Sequence, residues 1–419
     1  MANYHKGAVF MLAEKLLKMA SQLLMLVLMA RVLAPDDLGQ LMYCFALASI
    51  FLFLNQLGLD TLLVKKFVDQ ARKKQSLLWH AFAARLLAGV LCIVLVNGLG
   101  WLLVDAQHRN LLFIISLYHL FLPFSTFEWF FQAEGRSDLA AIGLIAGHVA
   151  GFALRLWCVL TAPDLAILAS AYVLEVAVTA LVYVLLLKQQ QLKLPKVLSA
   201  DRIQHLGTEA LPLMISGAVI LIYMKVDQLM LGLLSSAEEV AYYVAATRLS
   251  EAWYFVGLTV ISVYFPKILK EKTNSTQTFE KSFVKLGRLI VILGSAIAIA
   301  TYFFADAVIE YLYGPMYLKS IEVLQVTIFA VPLVYLGALS TRLYLELHNT
   351  RAVLYKSIFG LIINIVCNCL LIQRYGAIGA AIATVAAQAT SGYFCHYLLG
   401  KDGKAILNVQ AKIVGVKRG

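Results

Sequence analysis

Apolar stretches of about 20 residues recur along the whole chain and are separated by short polar turns. Within them the residues are apolar on every side of a helix and do not alternate at period two, a pattern typical of membrane-spanning helices and not of an outer-membrane barrel. A run of about 20 residues, rising 1.5 Å each, crosses ~30 Å of hydrocarbon. The pattern predicts twelve spans, at 8–33, 40–64, 78–104, 111–132, 139–161, 166–187, 208–232, 240–265, 286–305, 321–345, 353–373 and 378–399.

Composition favours the same class of protein. Of the 419 residues, 61% are hydrophobic and 14% charged, whereas soluble domains are about half apolar and a quarter charged. No segment outside the predicted spans exceeds about 20 residues, which leaves no room for a soluble catalytic domain. The nucleotide, zinc-protease, hydrolase and dinucleotide motifs are absent from the sequence. We therefore predict no enzymatic activity, no metal site and no cofactor.

The basic residues predict an orientation. With the N-terminus inside, the inside segments carry 22 Lys and Arg and the outside segments carry three, Arg109, Lys319 and Arg374. This asymmetry is the positive-inside pattern and places both termini in the cytoplasm. The net charge of +11 then reflects cytoplasmic loops facing anionic lipid, and no nucleic-acid partner is predicted.

The chain repeats itself weakly. "APDDLGQLMYCFALAS" and "SAEEVAYYVAATRLS" are each an acidic outside turn followed by a Tyr-containing helix, in matching places of two halves. Six helices per half place the symmetry axis along the membrane normal. The prediction is an all-α polytopic membrane protein with two six-helix lobes related by a pseudo-two-fold axis. Its parts are an N-terminal lobe (1–187), a basic cytoplasmic linker (188–207), a C-terminal lobe (208–399) and a basic cytoplasmic tail (400–419).

Prolines and glycines mark two further features of the spans. Pro123 and Pro332 lie inside the fourth and tenth spans, which correspond in the two halves, and interior prolines kink helices. Such interruptions point to the moving parts of a transporter, although membrane helices also tolerate proline, and both readings stay open. Gly143, Gly147 and Gly151 recur every fourth residue in the fifth span and predict close packing against a neighbouring helix.

Cations inside the spans are the main functional signal. A lipid-facing cation at the bilayer centre costs ~3 kcal/mol, so deep cations should face protein or water. One interpretation is a water-filled cationic cavity for a large anion, since Arg and Lys suit phosphate. The alternative is a set of interhelix salt bridges. The six deep cations are Lys15, Lys18, Arg85, Arg155, Lys225 and Arg248. Four more lie near span ends and are predicted to extend to the interface: Arg31, Arg288, Arg342 and Lys356.

Acids within the spans are the candidates for binding a coupling ion, H⁺ or Na⁺: Asp227, Glu175 and Glu251. Arg248 and Glu251 are three residues apart and can pair on one helix face. Lys225 and Asp227 are two apart, so they point to different sides of the helix. We predict that Lys225 lines the anion cavity, while Asp227 pairs across helices or binds the coupling ion.

Four stretches carry a resemblance to a known family. They are "RVLAPDDLGQLMY", "KVDQLMLGLLSSAEEVAYYVAATRLSE", "VIEYLYGPMYLKSIEVLQV" and "NIVCNCLLIQRYGAIGAAIATVAAQ". In this order, and with twelve spans, the chain resembles the Wzx-type O-antigen flippases. These are polysaccharide-biosynthesis proteins of the multidrug/oligosaccharidyl-lipid/polysaccharide exporter superfamily. The resemblance implies a fold like that of the multidrug (MATE) exporters, with two six-helix lobes.

The resemblance also implies a function: moving a polyprenyl-pyrophosphate-linked oligosaccharide from the inner to the outer leaflet of the bacterial inner membrane. The implied partners are that substrate, membrane lipids, a polysaccharide polymerase and a chain-length regulator. One alternative is a multidrug or organic-cation antiporter, for which the excess of deep cations has the wrong sign. A lipid II flippase is expected to have two further helices. A membrane glycosyltransferase or ligase would need a larger loop or an acid cluster.

Overall fold

The computed structural model describes residues 2–69, 73–189, 198–272 and 275–415, although not the side chains of 2–16 and Thr61. The described residues are almost entirely helical and contain no strand, so the predicted all-α fold is confirmed. The chain divides into two compact units. Unit 1 comprises Met1–Leu33 and Gln40–Lys225, and unit 2 comprises Ala34–Gly39 and Val226–Gly419.

Eleven α-helices lie wholly or mostly in unit 1. The second of them begins in unit 2, and the last of them ends in unit 2. They are α1 (Ala2–Val32), α2 (Pro35–Ile50), α3 (Leu52–Gln56), α4 (Leu59–Asp69), α5 (Lys74–Leu103), α6 (Arg109–Ser116), α7 (Tyr118–Phe121), α8 (Ser125–Ala133), α9 (Ser137–Thr161), α10 (Leu165–Gln189) and α11 (Ala200–Leu234). Short 3₁₀ helices lie at Ala106–His108 and Leu122–Phe124.

Unit 2 contains six further α-helices. They are α12 (Ala237–Lys272), α13 (Thr276–Tyr313), α14 (Ser320–Thr327), α15 (Ala330–Glu346), α16 (Thr350–Gly392) and α17 (Gly400–Val414). Its 3₁₀ helices are Pro315–Tyr317 and Phe394–Leu398.

Nine helical segments among the described residues are long and apolar enough to cross a membrane. They account for the predicted spans from the third onwards. The second span, 40–64, is broken into α2, α3 and α4, each shorter than a span. The first span lies on α1, and the structure does not describe the side chains of its residues 2–16. The eleventh and twelfth spans fall together in α16.

α16 is two helices that meet at Gly376, whose φ of 52° and ψ of −131° are not helical. A Cβ on Gly379 would lie 2.6 Å from the carbonyl oxygen of Leu371. Eight residues of straight helix cover about 12 Å, so the chain must fold back at this point. The two predicted spans therefore form a tight hairpin that depends on a glycine conformation.

The glycine stripe of α9 packs against α10, as predicted. A Cβ on Gly147 would lie 2.0 Å from Thr179 Oγ1 and 2.2 Å from the Glu175 carbonyl oxygen. At Gly143 it would lie 2.2 Å from the Tyr183 ring. The backbones can approach this closely only because the stripe has no side chains.

Helices are interrupted near both predicted bend prolines. Pro123 lies in the 3₁₀ turn between α7 and α8, and Pro332 is the third residue of α15, just after the break that follows α14. Proline lacks an N–H donor, so it is tolerated better at the start of a helix than in its interior. That these breaks move during transport stays a prediction.

The proposed domain boundaries also stay predictions. Much of the predicted linker, residues 190–197, lies outside the described residues, and the units divide at Lys225 within α11. The described part of the predicted tail is α17, which packs on unit 2 through Ile413 against Gly287. Lys412 Nζ, near the end of α17, forms an ion pair with Glu280 at 2.5 Å.

Candidate functional site

A buried charge cluster joins three helices of unit 1 around Glu175 on α10. Arg155 Nη2 on α9 donates to Glu175 Oε2 at 2.9 Å, and His148 Nδ1 lies 3.2 Å from Oε1. Lys18 Nζ on α1 lies 3.7 Å from the same Oε1. The Ser21 hydroxyl hydrogen-bonds the other nitrogen of His148. One carboxylate thus serves two cations and a histidine, as a buried carboxylate must be paired to be tolerated.

Beside this cluster lies a cavity of about 300 Å³, bounded by α1, the breaks around α3 and α7, and helices α8, α9 and α10. Its charged lining residues are Lys18, Asp60, Glu128 and Glu175. Its aromatic lining residues are Phe121, Phe124 and Trp129. A second cavity of about 600 Å³ shares Asp60 and Trp129 with the first and reaches Lys65 and Asp69 at the end of α4. Polar and aromatic groups therefore line these two neighbouring cavities, which together are called the recess of unit 1.

Arg85 lies behind the wall of this recess, in contact with the lining residues Trp129, Ser125 and Leu122. Its side chain is 1% exposed, and its guanidinium stacks 4.3 Å from the centre of the Trp129 ring. It donates to three carbonyl oxygens and two hydroxyls, those of Asn55 (3.1 Å), Leu122 (3.2 Å), Pro123 (3.2 Å), Ser125 (2.9 Å) and Thr126 (2.8 Å). These carbonyls lie at two helix breaks, where backbone groups inside a membrane need other partners.

Within each unit, the described cations among the six predicted ones have different surroundings. Lys18 and Arg155 share Glu175, and Arg85 lies behind the wall of the recess. The side chain of Lys15 is outside the described residues. Lys225 is the half-buried last residue of unit 1. In unit 2, Arg248 Nη1 lies 3.3 Å from Glu251 Oε2, with both side chains more than 40% exposed.

Unit 2 holds the second polar centre, at Asp227 on α11. Its carboxylate accepts four hydrogen bonds from side chains on α12 and on both arms of the α16 hairpin. The donors are Asn368 Nδ2 at 2.6 Å, Asn364 Nδ2 at 2.8 Å, the Tyr243 hydroxyl at 2.8 Å and the Thr384 hydroxyl at 3.0 Å. Asp227 is 6% exposed. The centre gathers oxygen and amide groups around one carboxylate in an otherwise apolar region.

Sequence reasoning missed most of the residues around Asp227. Asn364 and Asn368 are four apart in the apolar stretch "NIVCN", so they share one face of α16, and that spacing was the available signal. Tyr243 and Thr384 carry no comparable signal. In unit 1, Asp60 and Trp129 were missed because nothing in the sequence shows that the helix breaks meet.

The prediction for Lys356 was wrong. It was expected to extend to the membrane interface, but its side chain is buried at 7% exposure. Its ammonium donates to the Gly337 carbonyl oxygen at 2.6 Å and to the Thr341 and Ser340 hydroxyls at 2.8 and 3.1 Å. The amine turns toward α15 because that helix offers three acceptors close to the start of α16.

The fold and these buried centres define a polytopic membrane protein of the MATE-like class. A solved lipid II flippase MurJ in an inward closed conformation has a TM-score of 0.76 at 14% identity, covering 98% of this chain and 94% of that one. A multidrug resistance MATE family transporter in an inward-facing conformation has a TM-score of 0.69 at 13% identity, covering 96% of both chains. An outward-facing conformation of a MATE family transporter has a TM-score of 0.64 at 11% identity, covering 97% and 96%.

Sequence comparison identifies the family. The family model described as "Polysaccharide biosynthesis protein" matches residues 5–272, well over half of the chain. No curated protein sequence matches this chain. The protein belongs to the polysaccharide biosynthesis protein family.

Proposed function

We propose that this protein is a flippase that moves polyprenyl-pyrophosphate-linked oligosaccharide repeat units, such as O-antigen units, from the inner to the outer leaflet of the bacterial inner membrane. The observation that carries the proposal is the recess in unit 1. It places Lys18, carboxylates and aromatic rings within membrane-spanning helices of a polysaccharide-biosynthesis protein. A sugar head with phosphates needs such a polar path, while its lipid tail can stay in the bilayer. Alternating exposure of the recess to the two sides would move the head across.

The predicted cations take different parts in this proposal. Lys18 is the cation that lines the cavity, so it would contact the pyrophosphate or a sugar directly. Arg155 would hold Glu175, and Arg85 would hold the wall and Trp129, without touching substrate. Lys15, Lys225 and Arg248 are proposed as further cations along the path.

We also propose that transport is coupled to an ion gradient through Asp227. One of the solved structures similar to this chain is a transporter. Of the three proposed acids, Asp227 is the best candidate, because it is buried, whereas Glu175 already pairs with cations and Glu251 is exposed. Asn368 Oδ1, beside Asp227, is buried without a hydrogen-bond partner among the described residues. Together with the carboxylate and the two hydroxyls, that oxygen suits Na⁺, a hard cation that prefers oxygen, and the carboxylate alone could carry H⁺.

A second function, export of organic cations, is favoured by one observation. The charged lining of the cavity consists of one lysine and three carboxylates, which suits a cation better than an anion. Structures of multidrug transporters also share the fold. The two proposals therefore have to be separated by experiment.

The test is complementation of a strain that lacks its repeat-unit flippase. Lys18→Ala should abolish surface polysaccharide, and Lys18→Arg should retain part of it because the charge remains. Lys281→Ala, which removes an exposed cation of unit 2, is the matched control and should complement fully. Membrane-inserted protein is quantified for each variant. If the wild type fails to complement but exports ethidium, the flippase proposal is wrong. If Lys18→Ala complements as the wild type does, the proposed contact between Lys18 and substrate is wrong.

Ion coupling has its own test in proteoliposomes loaded with a lipid-linked oligosaccharide. A Na⁺ gradient and an H⁺ gradient are imposed separately, and one of the two should accelerate flipping by the wild type. Asp227→Asn should remove that acceleration, whereas Glu251→Gln should keep it. Acceleration that survives in Asp227→Asn would place the coupling elsewhere.

The remaining expectations follow from the flippase proposal. The protein itself would carry out no chemical reaction. It would lie in the inner membrane with both termini in the cytoplasm, and would work alongside a polymerase and a chain-length regulator. Glycosyltransferase or ligase activity is the alternative outside transport, and nothing in the recess favours it.

A further inference from the structure

A separate basic pocket of about 220 Å³ lies at the end of unit 1 where α4 ends and α5 and α11 begin. Its cationic lining residues are Lys66, Lys73 and Arg202, and His80 and His205 line it as well. None of these five residues lines the recess around Lys18 and Trp129. The pocket therefore requires an explanation other than the proposed transport path.

The pocket has a fixed frame. His80 is 2% exposed, and its Nδ1 lies 2.6 Å from the Ser76 carbonyl oxygen. Its Nε2 lies 3.0 Å from the Ser199 backbone nitrogen. A carbonyl can only accept and a backbone N–H can only donate, so His80 donates from Nδ1 and accepts at Nε2. It thereby ties the first turn of α5 to the residue before α11.

Arg202 strengthens the same connection. Its Nη1 donates to Ser76 Oγ at 2.8 Å, which leaves the other guanidinium nitrogens available to the pocket. Lys73 directly precedes α5 and is exposed. The N-terminal ends of α5 and α11 also meet here, and helix N-termini add partial positive charge. These groups give a small, framed site with positive potential.

One carboxylate partly offsets this charge. Glu209 forms an ion pair with Lys66 and lies 3.7 Å from His205 Nδ1. Lys66 is therefore already engaged, and Lys73 and Arg202 are the cations open to a ligand. About 220 Å³ corresponds to roughly seven waters at ~30 Å³ each, enough for a phosphate group and its ester carbon atoms.

We propose that this pocket binds the phosphate group of a ligand, through Lys73 and Arg202. Arg binds phosphate oxygens in a paired geometry, and Lys binds them as a point charge. In the predicted orientation the pocket faces the inner leaflet, whose anionic phospholipids carry the required phosphodiester. A soluble phosphate would offer the same chemistry. In either case the ligand would clamp the start of α11 against α4 and α5.

The experiment uses the purified full-length protein in a neutral detergent. Phosphatidylglycerol, phosphatidylcholine and inorganic phosphate are added separately. Native mass spectrometry counts bound lipid, and the thermal unfolding midpoint reports binding of phosphate. The test variant is Lys73→Gln/Arg202→Gln. The control, Lys281→Gln/Lys285→Gln, removes two exposed cations from α13 of unit 2.

Phosphatidylglycerol, and not phosphatidylcholine, should bind the wild type and the control. The test variant should bind it at least about tenfold more weakly, since it loses two charge-assisted contacts. Glu209→Gln should bind more tightly than the wild type, because it frees Lys66. If inorganic phosphate alone shows this pattern, the ligand is soluble. Equal binding by wild type and test variant, or an equal loss in the control, would overturn the proposal. None of these readouts depends on transport.

Discussion

Unit 1 stabilises buried charge in two ways, and the difference decides which residues a substrate can reach. Arg85 donates its hydrogen bonds to neutral carbonyl oxygens and hydroxyls at helix breaks. Arg155 instead shares the Glu175 carboxylate with Lys18 and His148. The Arg85 guanidinium has its donors engaged and has little to offer a phosphate, and the Arg155 side chain is 3% exposed, whereas Lys18 is 41% exposed and lines the cavity. Lys18 is therefore the described cation of unit 1 best placed to contact the proposed substrate.

The Glu175 cluster predicts a large loss of stability on neutralisation. Glu175→Gln leaves Arg155, whose side chain is 3% exposed, without its counter-charge. Breaking a buried pair by removing one partner costs about 3–5 kcal/mol, so the unfolding midpoint in detergent should fall clearly. Glu175→Gln/Arg155→Met should recover much of the loss.

Glu251→Gln is the matched control for this cluster. It breaks an ion pair whose two side chains are both more than 40% exposed, and exposed pairs contribute about 0–1 kcal/mol. Equal shifts for Glu175→Gln and Glu251→Gln would show that burial does not set the energy of the cluster.

Single residues show where sequence reasoning stops. The hydropathy pattern singled out Asp227, Glu175, Arg85 and Lys356 as ionisable groups within spans, because charge inside a span is conspicuous. Their partners depend on which helix faces pack against each other, and the spacing of apolar residues along the sequence does not determine that packing. Lys356 was misplaced for this reason, since its position near a span end said nothing of the three acceptors on α15.

At the scale of elements, the contact between α9 and α10 rests on missing side chains. Gly147→Ala would place a Cβ 2.0 Å from Thr179 Oγ1 and 2.2 Å from a backbone carbonyl oxygen, so α10 must move. We expect a lower unfolding midpoint and less inserted protein. Gly98→Ala in α5, where nothing lies within 4 Å of the new Cβ, should be neutral or slightly stabilising because Ala favours helix. Similar losses in both variants would contradict the packing explanation.

The hairpin at Gly376 makes a second prediction for an element. The φ of 52° with ψ of −131° is strained for any L residue with a side chain. A Cβ there would also lie 2.4 Å from Glu239 Oε2, which accepts from the Ala377 backbone nitrogen at 2.6 Å. Gly376→Ala should displace the hairpin arms that carry Asn368 and Thr384.

The readout for Gly376 is the ion dependence of transport together with stability. Gly376→Ala should weaken the proposed ion coupling through the Asp227 centre, while Gly98→Ala should not change it. Unchanged coupling in a stable Gly376→Ala protein would show that the hairpin geometry is not needed for that centre.

At the scale of the whole molecule, most of the architecture was predictable. Twelve apolar stretches and the breaks near Pro123 and Pro332 follow from length, hydropathy and proline chemistry, and the family resemblance agrees with the match over residues 5–272. The break of the second span into α2, α3 and α4 was not predictable. Leu57 and Gly58 adopt positive φ there, and the carbonyl of Asn55 is satisfied by Arg85 from α5. Only the folded unit supplies that partner.

The orientation of the molecule follows from the distribution of its basic residues and can be tested with two matched cysteine variants. Gln107→Cys lies in the turn between α5 and α6, and Gln277→Cys lies in the first turn of α13. Both glutamines are exposed, and the 22-to-3 asymmetry of Lys and Arg predicts the first outside and the second inside. A membrane-impermeant maleimide should label Gln107→Cys in intact spheroplasts and Gln277→Cys only after permeabilisation, with the wild type giving the background of the six native cysteines. The reverse labelling would invert the topology and would place the basic pocket at Arg202 in the outer leaflet.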